Sequence, residues 1–135
     1  MPAKDRYHDA VKRALVKDGW MITGEQVKLR IGNRRLWVDL QATYPNENRI
    51  VLIEVKGFES SASPVEALES AVGQYVVYQA TLDARGLDIP LYLAAPDAAY
   101  FGILEETLGQ AVRQTVSIKL IVFEPLSEEV LIWVS

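Results

Sequence analysis

Glu54 and Lys56 are the residues whose types and spacing point most directly to chemistry. They interrupt Ile50-Val51-Leu52-Ile53-Glu54-Val55-Lys56-Gly57, in which six of eight residues are apolar or glycine. Such a run reads as a strand buried on at least one face. A spacing of two places both charges on the same strand face. A charge removed from water is costly unless it is paired or bound to something. An isolated E-x-K nevertheless reads most simply as a half-buried strand with a solvated Glu/Lys face, so the surrounding chain must decide.

The preceding stretch from Arg34 to about Tyr44 alternates, with Leu36, Val38, Leu40 and Ala42 on one face and Trp37, Asp39 and Gln41 on the other. Pro45-Asn46-Glu47-Asn48 is a turn between the two strands. Centring it on Asn46-Glu47 sets Leu40 opposite Ile53, Val38 opposite Val55 and Ala42 opposite Val51, a continuous apolar face. A slip of one residue would place each of these beside a polar side chain. In this register Asp39 faces Glu54, and Trp37 faces Lys56. Opposed carboxylates repel by about 0.2–1 kcal/mol, and a cation relieves that repulsion. The pattern therefore points to a metal site.

The elements around this pair follow from periodicity and punctuation. Residues 4–18 read as a helix whose Tyr7, Val11, Ala14 and Leu15 form one stripe, with His8 on its border and Gly19 as a stop. Asp9 is expected to pair with Arg13 four residues on. Val27 to Ile31 alternates apolar and basic, and Gly32-Asn33 turns it into the Arg34 strand. Phe58 to Ala62 is a loop, and Ser63-Pro64-Val65-Glu66 is a capping box opening a helix to about Arg85. Val65, Leu68, Val72, Tyr75 and Val76 form its strongest apolar face, with Gln74 and Tyr78 together on the edge. Pro90 to Ala95 is a buried strand, 98–114 a helix broken near Gly102, and Ser117–Phe123 and Val130–Val134 strands. The order is a mixed α/β sheet flanked by helices, in a single domain spanning 1–135.

Composition removes several function classes. The 135 residues include no cysteine and one histidine, His8, so thiolate zinc, cysteine nucleophiles and paired-histidine metal sites are out. No nucleophile elbow, GxGxxG or Walker A pattern is present. Carboxylates and lysines remain. No apolar run reaches the roughly 18 residues needed to span a bilayer. Met1 to Asp5 leads into a charged segment instead of an apolar signal region, so a cytoplasmic protein is expected. The net charge of −4 is uneven, with +3 over residues 1–60 and −7 over 61–135. Lys28, Arg30, Arg34 and Arg35 fall within eight positions. They are either a phosphate track or a solvated hairpin tip.

A helix, a three-stranded meander, a helix and a further strand resemble the α-β-β-β-α-β core of the restriction-endonuclease-like PD-(D/E)XK nucleases. That motif falls on Asp39 and, 15 residues later, Glu54-Val55-Lys56. The chain as a whole is similar to the XisH family within them, described as fdxN-element excision controlling factors of cyanobacteria. Six segments carry this resemblance: Met1 to Asp5, His8 to Lys12, Lys17 to Trp20, Glu54 to Lys56, Gly73 to Tyr75 and Lys119 to Val122. The superfamily's aspartate often follows proline or glycine, whereas Asp39 follows Val38, so its assignment rests equally on register.

The resemblance implies Mg²⁺ or Mn²⁺ held by Asp39 and Glu54, with Lys56 and Gln74 as further catalytic residues and Tyr78 and His8 in support. DNA would be the substrate, contacted by Lys28, Arg30, Arg34 and Arg35. It also implies a role in excising a DNA element during heterocyst differentiation, often beside a small XisI-like companion protein. The rival expectation is a nuclease-fold subunit that no longer cuts and binds DNA or a partner. Its acidic second half suits such a companion or a homodimer.

Overall fold

The computed structural model describes residues 6–59 and 63–135, so the Met1–Asp5 segment and the last three residues of the Phe58–Ala62 loop lie outside the described residues. Its elements run α1 (His8–Lys17), β1 (Met21–Ile31), β2 (Arg34–Tyr44), β3 (Arg49–Val55), α2 (Pro64–Ala84), β4 (Leu91–Pro96), α3 (Asp97–Ala99), α4 (Thr107–Thr115), β5 (Lys119–Glu124) and β6 (Glu129–Val134). A π turn, Tyr100–Leu104, joins α3 to α4, and Gly102 within it leaves helical geometry at the break expected there. The six strands form one mixed sheet in chain order. β1–β2–β3 is an antiparallel meander, β3–β4–β5 is parallel, and β6 returns antiparallel to β5. Among the described residues, no helix is long and apolar enough to cross a membrane.

Local chemistry sets these boundaries. Gly19 ends α1 at φ 94°, and a Cβ there would stand 3.1 Å from the Tyr44 ring. The β1–β2 hairpin closes at Ile31 opposite Arg34, across Gly32-Asn33. The Ser63 hydroxyl caps α2 by accepting from the Glu66 amide, with Pro64 at the first helical position. Leu40 pairs with Ile53 and Ala42 with Val51, the register expected from the turn.

Two apolar layers sandwich the sheet. Val11 and Leu15 of α1 pack on Leu40, Ala42, Val51, Ile53 and Val55. On the other face Leu68, Tyr75, Tyr78 and Leu82 of α2 pack on Leu52, Leu91, Leu93 and Leu120. Leu52 and Ile53 thus lie on opposite faces, which places Glu54 on the α2 side.

Four expectations change. Val38 belongs to the α2 layer, with Leu36 packed beside it, while Leu40 and Ala42 belong to the α1 layer. The face assigned to β2 therefore switches at Asp39. β1 switches at the same level, for Glu25 bonds His8 of α1 while Val27 packs into the α2 layer. Gln26, between them, has a left-handed backbone at φ 49°. The α2 face is also rotated: Ala67, Leu68, Ala71, Tyr75, Tyr78 and Leu82 are buried, whereas Val65 and Val76 are exposed. That helix is apolar around most of its circumference, so periodicity alone does not choose the face. Arg13 forks onto Glu128 at 2.6–2.9 Å instead of pairing with Asp9. His8 is fully buried rather than at a boundary, because Glu25 on β1 offers it a hydrogen-bond partner.

Candidate active site

The β2–β3 ladder of paired residues runs from Tyr44 to Leu40, and at the next position side chains take over. The Asp39 amide donates to Glu54 Oε1 at 3.1 Å, and the Val55 amide donates to Asp39 Oδ2 at 2.8 Å. Each carboxylate thus satisfies a backbone N–H of the opposite strand, holding the two acids together where the strands would otherwise bond backbone to backbone. Both are buried, at 6% and 3% exposure.

Burial raises the Glu54 carboxyl to about 8, and the neighbouring Asp39 charge pushes the same way. A hydrogen bond between the two side chains also raises it, since that bond requires a proton on Glu54. The Lys56 ammonium pulls in the opposite direction, which puts its charge within range of Glu54. Lys56 is half-buried, just past the end of β3, where its amide continues the pairing with β4 through Ala94 O at 3.0 Å. The pair therefore sits at the carboxyl end of a parallel strand, beside the β3–α2–β4 crossover.

α2 supplies the roof. The Tyr78 hydroxyl donates to Trp37 O at 3.0 Å and accepts from Gln74 Nε2 at 3.1 Å. Burial raises the Tyr78 hydroxyl, and the charges on Glu54 and Asp39 raise it further, so this group lies within their field. Gln74 is half-buried and joined to the site through Tyr78.

His8 has another partner. Its Nε2 is 3.0 Å from Glu25 Oε1, and Lys12 Nζ donates to Glu25 Oε2 at 2.8 Å. The Lys12 hydrogen bond, then that of His8, holds Glu25 down at about 2. Lys28, Arg30, Arg34 and Arg35 are all exposed on the outer half of the β1–β2 hairpin. The Lys28 ammonium lies over the Trp37 ring at 5.9 Å, two residues along β2 from Asp39.

Sequence reasoning missed two residues on β1, Glu25 and Gln26. Glu25 was findable, since His8 and Lys12 share a helix face and need an acidic partner. Gln26 carried no signal, because its interest lies in a positive φ and in a carboxamide whose nitrogen and oxygen are buried without a hydrogen-bond partner.

The donor set is two hard carboxylate oxygens with an adjacent ammonium, and burial leaves the acids short of compensation. That set suits a small divalent cation, which is commonly held by one or two carboxylates, with waters and substrate phosphate completing its shell. Among the described residues, no group of three or more acidic or histidine side chains is arranged to hold a metal.

No curated protein sequence matches the chain. An XisH family protein from Nostoc punctiforme PCC 73102 has a crystal structure with a TM-score of 0.90 and 27% identity, covering 97% of this chain and 100% of that one. A fdxN element excision controlling factor protein from Anabaena variabilis gives a TM-score of 0.89 and 27% identity, covering 98% and 100%. The model of the XisH protein family matches residues 1–131, nearly the whole sequence, and the chain belongs to the XisH family.

Proposed function

We propose that this protein is a metal-dependent DNA endonuclease built on a restriction-endonuclease-like PD-(D/E)XK core, acting in excision of a DNA element. The observation that carries the reading is the cross-bonded, buried Asp39–Glu54 pair with Lys56 just past the end of β3. Asp39 and Glu54 would hold Mg²⁺ or Mn²⁺, which when bound supplies Lewis-acid stabilisation of a phosphodiester. The Lys56 ammonium offsets charge developing on the phosphoryl group and orients the attacking water. Tyr78 and Gln74 fasten α2 to the β2 backbone beside the acids, which preserves the spacing on which in-line attack depends. The exposed Lys28, Arg30, Arg34 and Arg35 extend from Trp37 toward the hairpin tip and form a track for the DNA backbone. The excision role rests on the name of the Anabaena variabilis relative.

The test is cleavage of labelled linear, supercoiled and branched DNA with Mg²⁺ or Mn²⁺, wild type beside Glu54→Ala. Cleavage by the wild type alone supports the assignment, and equal cleavage by both rejects the site.

That same relative is named a controlling factor, which favours a second reading as a non-cutting subunit. The outward valines of α2, Val65, Val76 and Val77 at 42–52% exposure, offer an apolar face to an XisI-like companion or a second copy. Salt-sensitive DNA binding without cleavage, with or without the companion added, would select it.

A further inference from the structure

Three cations and a tryptophan share one face of the β1–β2 hairpin. The pairing of β2 with β3 runs from Leu40 to Tyr44, so residues 27–31 and 34–38 continue past it as a two-stranded ribbon. Val27 pairs with Val38 and Leu29 with Leu36, and all four pack into the α2 layer. The residues between them, Lys28 opposite Trp37 and Arg30 opposite Arg35, therefore stand on the other face. The ladder is unbroken over this span, the irregularities of β1 lying farther back, between Ile22 and Gly24 and at Gln26. The Lys28 ammonium lies 5.9 Å from the Trp37 ring centroid, as two side chains on one face require.

The charge on this face is uncompensated. Lys28, Arg30 and Arg35 are exposed, and Trp37 is half-buried. Among the described residues none of these three cations has an acidic partner, whereas Lys12, Arg13 and Arg113 are each ion-paired. Trp20 and Trp133 stack on each other within the α1-side cluster, but Trp37 meets no other ring among the described residues. Phosphates alone call for cations and leave an indole among them without a role. A strand with unpaired bases uses both, its backbone tracking the cations while a base stacks on the ring. The bases of an intact duplex are stacked on one another and closed to such a ring.

We propose that this face of the ribbon binds an unpaired segment of DNA, with Trp37 stacking on a base and Lys28, Arg30 and Arg35 holding the flanking phosphates. The assignment rests on the DNA reading above. It narrows the substrate to DNA carrying a single-stranded segment beside the cut, as in a flap or a branch. Lys28 stands near the outer limit of a cation–π contact and can swing to a phosphate as a base takes its place. Trp37 precedes Asp39 by two residues, about 7 Å along the strand. Its carbonyl also accepts from the Tyr78 hydroxyl, so the stacking platform and the roof over the acids share one anchor. Stacking on Trp37 thus holds the strand close to the acid pair.

The test is binding in EDTA, which separates it from cleavage, to a labelled oligothymidylate and to a duplex of the same length. The wild type should prefer the single strand, and its indole emission should be quenched on binding. Trp37→Leu keeps an apolar side chain on the ribbon and removes the ring. Its single-strand affinity should fall about tenfold, with duplex affinity unchanged. Trp37→Phe keeps a stacking face and should retain most of the single-strand affinity while losing the quenching. Quenching that is absent from the wild type, or that persists in Trp37→Phe, overturns the assignment. So does a wild type that binds duplex as tightly as single strand, or a Trp37→Leu variant that loses both equally. Failure of the wild type to bind either DNA overturns it together with the DNA reading. Tight single-strand binding by a protein that cuts nothing supports it and removes the nuclease reading alone.

Discussion

Asp39 and Glu54 each hold the other's strand. The Asp39 amide bonds the Glu54 carboxylate, and the Asp39 carboxylate bonds the amide that follows Glu54. The acids are thereby tied to the backbone of the facing strand. Asp39→Asn keeps an oxygen to accept from the Val55 amide and should remain folded. It removes one of the two charges available to a cation, and cleavage should fall by about a hundredfold or more, a typical loss when one electrostatic stabiliser is removed. Circular dichroism beside the cleavage assay checks both halves. Asp39→Ala should in addition lose about 1–3 kcal/mol of stability, because the buried Val55 amide is left without its acceptor.

The raised Glu54 carboxyl makes the metal-free protein lose stability as pH rises. In the unfolded chain this group titrates near its ordinary value of 4.5, and in the folded chain near 8. Between those values the folded state binds more protons, so stability declines across that window and levels off above it. Melting temperatures in EDTA should fall from about pH 5 to pH 8 in the wild type. Glu54→Gln cannot titrate and should show a flatter profile over the same range, with a higher melting temperature at pH 8. Parallel profiles in the two proteins would show that Glu54 is already ionised in the fold.

The partners of Glu25 work in the opposite direction. Lys12 and His8 hold this carboxylate at about 2, below its ordinary 4.5, so its contribution is present above pH 4.5 and is lost as pH falls toward 2. Glu25→Gln should weaken the protein near neutral pH and reduce the acid-induced loss of stability between pH 4.5 and 2. The pairing with His8 leads to a second expectation. His8 is buried, with Nδ1 unpartnered and Nε2 on Glu25, so His8→Ala should destabilise the fold through the α1–β1 contact. Urea denaturation at pH 7 and pH 4 separates these effects from any change in cleavage.

How much of the fold and the site was legible in the sequence depended on whether local rules and tertiary packing agreed. The pairing of Leu40 with Ile53 could be read from the sequence, because alternation selects the register parity and the turn centred on Asn46-Glu47 selects the register within it. The α2 cap could be read for a similar reason, since Ser63 and Pro64 state where the helix begins. The change of face at Gln26 and Asp39 was hidden, because a glutamine at positive φ leaves no mark in the sequence. α2 was legible in extent and not in orientation, its valines and alanines being apolar on nearly every side. Asp39 and Glu54 emerged from register. Their backbone cross-bonds emerged only from the structure.

The basic hairpin carries the last prediction. Arg34 and Arg35 close the β1–β2 turn, and both are exposed. Five residues of strand separate Arg34 from Asp39, a span of about 16 Å at strand spacing. A duplex backbone lying over the acids would therefore reach the arginines several phosphates away. Their contribution is electrostatic and indifferent to sequence, so removing them should weaken all DNA uniformly. Arg34→Ala with Arg35→Ala should lower affinity severalfold at low salt and reduce the slope of log affinity against log salt by roughly one for each phosphate no longer neutralised. The melting temperature should not move, since neither side chain is packed. Cleavage at saturating DNA should also be unchanged, because the acids are untouched. Lys28→Ala should behave differently. Its ammonium lies over Trp37, whose carbonyl anchors Tyr78, so its removal frees the ring as well as a charge. A loss of turnover in Lys28→Ala at saturating DNA, absent from the double arginine variant, would locate the path of the backbone between the hairpin tip and the acids. Identical salt slopes in wild type and double variant would place the DNA on another face of the protein.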